Sequence, residues 1–286
     1  MGTSTSNKGT RGKDTPLVPT WLYSDTEVPA SPPTEEADGT PQSSPAPTPP
    51  DYPSIPSAGD ANRFRTERSN FSRFARSGGT DHGSLKRAIS GYIRKTSGGS
   101  TNAAKGMGSS RKAAASLLGF LSDVKERGIE PVLLSLNLES LAGQPVDEIF
   151  AGIRDYVCPE GGTVDAGIAI DSFIRTIADL AEAGISDFNT LSTDQIQTVL
   201  ELYMTHTIEE RIYNEIGTNT ISLPEDPAEV EKVQEQVRDF ISNGVSDALS
   251  SSKEKLENLS QDKMLQFVDD IYKTSYDLLL AFADKK

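Results

Sequence analysis

From Leu85 onward, apolar residues return every three or four positions, and that periodicity restricts the fold class more than any motif does. Leu85, Ala88, Ile89, Tyr92 and Ile93 stand at i, i+3, i+4, i+7 and i+8, the stripe of an amphipathic helix. Lys86, Arg87, Arg94 and Lys95 make its other face basic. A second helix reads through Leu117, Leu118, Leu121 and Val124 and stops at Gly128. Pro131 begins a segment that closes at Gly143, and Pro145 opens a short helix through Ile149, Ile153 and Val157. Thr163 caps a long helix through Ile170, Phe173, Ile174, Ile177 and Leu180, with Gly184 as its stop. Ser192 and Gln195 have the spacing of a capping box before a helix through Ile196, Leu200, Met204, Ile208 and Ile212 that stops at Gly217. Asp226-Pro227 is a cap followed by proline at the first helical position, ahead of Val230, Val233, Val237, Phe240 and Ile241. Ser260 opens a last helix through Leu265, Val268, Ile271, Tyr272 and Leu279. No alternating strand pattern of useful length interrupts this series. The expected fold is all-α, a multi-helix bundle-like body.

What precedes the body is built differently. Ten prolines lie between Pro29 and Pro56 with almost no aliphatic side chains among them. Such a segment cannot bury enough apolar area to offset its chain entropy, so residues 24–60 are expected to form a disordered tether. At about 3 Å per residue where stiff, its reach is on the order of 100 Å. Residues 1–14 are mostly Gly, Ser, Thr and charge. Beyond them, Pro16, Leu17, Val18, Pro19, Trp21 and Leu22 belong to the one dense apolar cluster of the first sixty residues. The two prolines bias their predecessors towards extended backbone, and a stiff apolar nine-mer suits a docking peptide because little entropy is lost on binding. Docking onto its own body and docking onto a partner are both open. The expected organisation is a presented peptide over 1–23, the tether, a basic segment over 61–127 and an acidic helical body over 128–286.

The net charge of −14 conceals this division. Fourteen basic and four acidic residues give 61–127 a net of +10, whereas eleven basic and thirty acidic residues give 128–286 a net of −19. Within the basic segment, residues 62–79 interleave Arg with Phe64, Phe71 and Phe74. One reading is a nucleic-acid patch in which guanidinium groups hold phosphates and rings stack on bases. The other, which the large acidic surface of the same chain favours, is that the rings anchor the segment on the body.

Catalytic and targeting signatures are missing. His82 and His206 are far apart, and His206 has no histidine or cysteine four positions away to share a metal. Cys158, the single cysteine, sits in a Cys-Pro turn without a nearby histidine, fits a reducing cytoplasm and cannot form an internal disulfide. Asp165 and Asp171 lie six apart on one helix and do not form a close pair. Gly106 to Lys112 lacks the spacing of a phosphate loop and reads instead as close helix packing on small side chains. No apolar run spans a membrane and the N-terminus has no signal-peptide core. The chain is expected not to be an enzyme, to bind no cofactor of its own and to work in the cytoplasm.

Five stretches resemble QatB, a component of the Qat anti-phage defence system of bacteria: MGTSTS, TPLVPTWL, NRFRTERSNFSRFARSGG, SGGSTNAAKGMGSSR and CPEGGTVDAGIAIDSF. The resemblance implies partners rather than catalytic residues. The other members of that system resemble a P-loop ATPase, a QueC-like enzyme called QatC and a TatD-like nuclease. QueC enzymes use ATP and zinc to build 7-deazaguanine bases, and QueC-like proteins of bacterial immunity can join such a base to a protein's N-terminal glycine. The resemblance therefore implies that this chain is the binding partner and protein substrate of the QueC-like enzyme, with Gly2 as acceptor.

The residues suit that role. Gly2 follows Met1 and permits its removal. The α-amine then exposed has an ordinary pKa near 8, against about 10.4 for lysine, so a useful fraction is nucleophilic at neutral pH. Thr3, Ser4, Thr5 and Ser6 are small enough to thread into a narrow tunnel while Leu17, Val18, Trp21 and Leu22 anchor the peptide. The alternative function is a nucleic-acid-binding subunit of the defence complex that uses 61–127.

Overall fold

The computed structural model describes residues 64–285, apart from 159–160, 181, 186–187, 189–190, 217–222 and 258. The expectations for the tether and for the presented peptide lie outside the described residues. Helix accounts for 81% of the structure, and no strand occurs among the described residues, so the all-α expectation holds. The helices are α1 (Arg65–Arg76), α2 (His82–Gly91, continued by a π turn over Tyr92–Thr96), α3 (Ser100–Gly106) and α4 (Gly108–Arg127). Three short ones follow: α5 (Ile129–Ser135), α6 (Val146–Gly152) and α7 (Arg154–Val157). The rest are α8 (Val164–Asp179), α9 (Thr193–Ile216), α10 (Pro227–Ser250), α11 (Lys253–Glu257) and α12 (Met264–Asp284).

Local signals set the long helices. Ser192 and Gln195 form the reciprocal capping box: the Gln195 amide N–H donates to Ser192 Oγ at 3.2 Å and the Ser192 amide N–H donates to Gln195 Oε1 at 2.9 Å. Asp226 caps α10 by accepting from the Ala228 amide, and Pro227 takes the first helical position. The Thr163 hydroxyl likewise accepts from the Ala166 amide at the start of α8. Gly128 ends α4 at φ +81°, a conformation costly for any side chain with a Cβ.

Helices α9 and α12 form the spine. Helix α9 packs against α8, α10 and α4, while α12 packs against α10, α2, α3 and α4. The two meet where Thr207 Oγ1 and Tyr272 Oη share a hydrogen bond of 2.8 Å. The aromatic layer at one end is continuous: Phe150 stacks on both Phe173 and Phe188, with centroids 5.7 and 5.4 Å away, and Phe120 meets Phe188 edge-on. The basic segment belongs to this packing. Phe71 and Phe74 of α1 are fully buried, and Arg94 and Arg111 pair with Asp284 and Asp269 of α12.

Gly106 to Lys112 does form close packing. Met107 is buried between α3 and α4 and its Sδ accepts from Tyr276 Oη at 3.1 Å. A Cβ on Gly108 would collide with the Asp165 carboxylate, and its φ of +40° favours glycine as well.

The apolar faces of two helices differ from expectation. Ile174, expected in the α8 stripe, is 49% exposed, and Leu265 of α12 is 46% exposed. Helix α8 buries Ala166, Ile168, Ala169, Ser172, Phe173 and Thr176 instead. Two variants follow from this arrangement. Phe150→Ala removes a ring packed on both faces and should cost about 3–5 kcal/mol in denaturant unfolding, whereas Ile174→Ser should stay within about 0.5 kcal/mol of wild type. Equal effects would contradict the assigned face of α8.

Candidate functional site

Seven consecutive residues of α9, Tyr203 to Glu209, are buried, so this helix has no solvent face along two turns. Such burial needs apolar side chains or satisfied polar ones. His206 and Glu209, each 1% exposed, are ionisable groups placed inside by that geometry.

Neighbouring helices supply their partners. Arg175 of α8 reaches Glu209 Oε2 at 2.8 Å with one guanidinium nitrogen and Glu210 Oε1 at 2.5 Å with the other. Arg238 of α10 approaches the same Glu209 oxygen at 3.5 Å. His206 Nε2 lies 2.7 Å from Asp179 Oδ2, at the end of α8. Its Nδ1 is 3.8 Å from Glu209, too far for a hydrogen bond, and has no other protein partner. Burial alone would push the Glu209 carboxyl up, but His206 and the charges of Arg175 and Arg238 together hold it below the ordinary glutamate value.

A cavity of about 90 Å³ opens beside this network between α9 and α10. Glu201, Leu202, Thr205, His206, Arg238, Asp239 and Ser242 line it, and at roughly 30 Å³ per molecule it has room for about three waters. Its walls carry both signs of charge. The arrangement compensates charge in the helix junction: Glu209 meets Arg175 and Arg238, and His206 Nδ1 has no hydrogen-bond partner among the described residues. A second ion cluster joins α8 to α9: Arg211 of α9 pairs with Asp165 of α8 and, at 2.5 Å, with Glu215 one turn along its own helix.

Cys158 is also structural. It is 2% exposed, its Sγ donates to the Ala169 carbonyl at 3.5 Å, and burial pushes its thiol up to about 12 against smaller opposing effects of Tyr203 and Arg154. A thiol so shifted carries almost no thiolate at neutral pH. No group of three or more His, Cys, Asp or Glu able to hold a metal occurs among the described residues.

Gly2, Pro16, Leu17, Val18, Pro19, Trp21 and Leu22 all lie outside the described residues. The reading of His206 as a helix histidine with a partner agrees with its contact to Asp179. Glu209, Arg175 and Arg238 were not singled out in the sequence. The one available signal was a pair of adjacent glutamates on the apolar stretch of α9, where charge is otherwise out of place.

The profile of one protein family, described as Qat anti-phage system associated protein QatB, matches residues 98–279, which is 182 of the 286. The chain belongs to the QatB family. Of the five stretches that carry the sequence resemblance, CPEGGTVDAGIAIDSF and all but the first residue of SGGSTNAAKGMGSSR fall within the matched residues. No curated protein and no solved structure matched. The family places the chain in an anti-phage defence system, and no helix of the described residues is long and apolar enough to cross a membrane.

Two outcomes test the assigned roles. Glu209→Ala removes the buried carboxylate that Arg175 and Arg238 share and should cost about 1–3 kcal/mol, because both arginines keep contact with solvent and Arg175 keeps Glu210. For the milder Glu209→Gln, the depressed carboxyl contributes stability above its unfolded value of about 4.3 and loses it as pH falls. The gap from wild type should therefore be full at neutral pH and narrow on acidification. Cys158 should resist iodoacetamide at neutral pH until the protein is unfolded, and rapid alkylation of native protein would contradict its burial.

Proposed function

We propose that this QatB-family chain serves in anti-phage defence as the binding partner and protein substrate of a QueC-like enzyme, QatC, and that Gly2 receives a 7-deazaguanine-type base on its α-amine. The observation that carries the reading is the match to a family associated with the Qat system. The sequence adds a glycine at position 2, small polar neighbours, and an apolar peptide from Pro16 to Leu22 set off by ten prolines. On this reading the chain is substrate rather than catalyst and acts in the cytoplasm. ATP and zinc belong to the partner, and the Qat ATPase and TatD-like nuclease complete the set of partners.

The body is consistent with a scaffold. Its buried histidine is occupied by Asp179, and its thiol is protonated. The nucleic-acid alternative loses two of its three rings, because Phe71 and Phe74 are buried against the body and only Phe64 is partly exposed.

Intact mass spectrometry of the chain produced with and without the QueC-like enzyme tests the proposal. A mass increase mapping to Gly2 is expected, and an uncleaved N-terminal extension or a bulky residue at position 2 should remove it while the body stays folded. Trp21→Ala should weaken partner binding by roughly thirtyfold, about 2 kcal/mol, with modification restored at high enzyme concentration. Modification of a lysine, or full defence by an unmodified chain, would end this assignment.

A further inference from the structure

Helix α8 reverses the usual arrangement of a surface helix, in which charge faces outward and aliphatic side chains face the core. Of its four charged residues, three are tied to α9: Asp165 to Arg211, Arg175 to Glu209 and Glu210, and Asp179 to His206. The side turned away from α9 carries Val164, Gly167, Asp171, Ile174 and Ala178. At 100° per residue these five fall within about 80° of one another around the helix, spread over roughly 21 Å of its length. Val164 is 65% exposed, Asp171, Ile174 and Ala178 are exposed as well, and a Cβ added to Gly167 would meet nothing within 4 Å. The half-buried Ile170 and Ile177 continue the apolar surface along one edge. Packing of α8 against α9, α4 and α6 thus leaves an aliphatic strip outside with one carboxylate in its middle.

We propose that the outward strip of α8 is a docking surface for an amphipathic helix of a partner protein, one that carries a single basic residue in the middle of its apolar stripe. The five residues follow one another at intervals of three and four, the spacing of a seam between two helices. Val164 and Ile174 stand out from it, while Gly167 and Ala178 leave gaps for the larger side chains of a facing helix. Asp171 sets the charge of the occupant. It has no ion pair among the described residues, and Arg175, one turn further along, is held by Glu209 and Glu210. A wholly apolar helix laid over Asp171 would strip its carboxylate of water without supplying a counter-charge, so the occupant brings a Lys or Arg to that level. A second copy of this chain fails the requirement, because with the strips in full overlap, parallel or antiparallel, Asp171 meets its own equivalent. The strip lies within the residues matched by the family, and its use does not depend on the proposed modification of Gly2.

The test uses the full chain and a labelled synthetic helical peptide with leucine at intervals of three and four and one lysine in the middle of that stripe, followed by fluorescence anisotropy. Wild type is expected to bind it at least about tenfold more tightly than the same peptide with glutamate in place of the lysine. D171K should reverse that preference, and I174E should lose at least about tenfold in affinity for the lysine peptide. L134E, which places a charge on the exposed Leu134 of α5, should lose less than about twofold. Circular dichroism should show all four proteins equally helical. Absence of peptide binding to wild type, an unchanged preference in D171K, or equal losses in I174E and L134E would overturn the proposal. Self-association in sedimentation that I174E abolishes would overturn it in favour of a second copy of this chain.

Discussion

The burial of α9 on every side is the constraint on which the body depends. A helix whose residues 203 to 209 all lie inside must be enclosed by several others, and α4, α8, α10 and α12 supply that enclosure. Each neighbour then has to answer the polar groups that α9 carries inward. Arg175 and Asp179 come from α8, Arg238 from α10, and Tyr272 from α12. Removing a charge from water costs several kcal/mol unless its counter-charges are close and well placed. Glu209 thus ties the relative positions of three helices to one carboxylate. Apolar contacts would hold the same helices together while specifying their register less tightly.

Much of this fold was legible in the sequence because its strongest signals are local. The Ser192–Gln195 box and the Asp226-Pro227 start each need only three or four residues, and both appear with the expected hydrogen bonds. Apolar spacing also marked Ile196, Leu200, Met204, Ile208 and Ile212 correctly as one buried line. The exposure of Ile174 and Leu265 was not legible, because helical spacing alone does not say where the contact face of a helix ends. The charge network escaped for a different reason. Arg175 and Glu209 are 34 residues apart, Asp179 and His206 are 27 apart, and neither pair is linked until α8 folds back along α9.

The candidate site divides in the same way. Gly2 and the Pro16 to Leu22 peptide were singled out in the sequence because their residues are contiguous, and both lie outside the described residues. The ionisable groups of the body carry no such contiguous pattern. The altered ionisation of the buried thiol and of the buried glutamate reflects their packing, and the buried histidine contacts Asp179. Strongly perturbed groups mark functional sites only when they converge on a space that a substrate can enter. Here the adjoining space of about 90 Å³ has room for only about three waters and is walled by opposite charges.

The interleaving of Arg and Phe in residues 62–79 shows how a composition signal resolves once its geometry is known. In an extended chain the alternation would place rings and cations together on one accessible strand, the arrangement a single-stranded nucleic acid needs. In a helix the 3.6-residue period sorts the same residues onto two sides. Phe71 and Phe74 then point into the body, meeting each other edge-on at 6.4 Å, while Arg65 and Arg73 point out. Arg68 sits at the border, and its Nε donates to the Ile216 carbonyl at 2.5 Å, joining α1 to the end of α9. A single helix is thereby fastened on one side and left cationic on the other. Phe71 and Phe74 cannot leave the core without exposing the apolar surface that fastens α1.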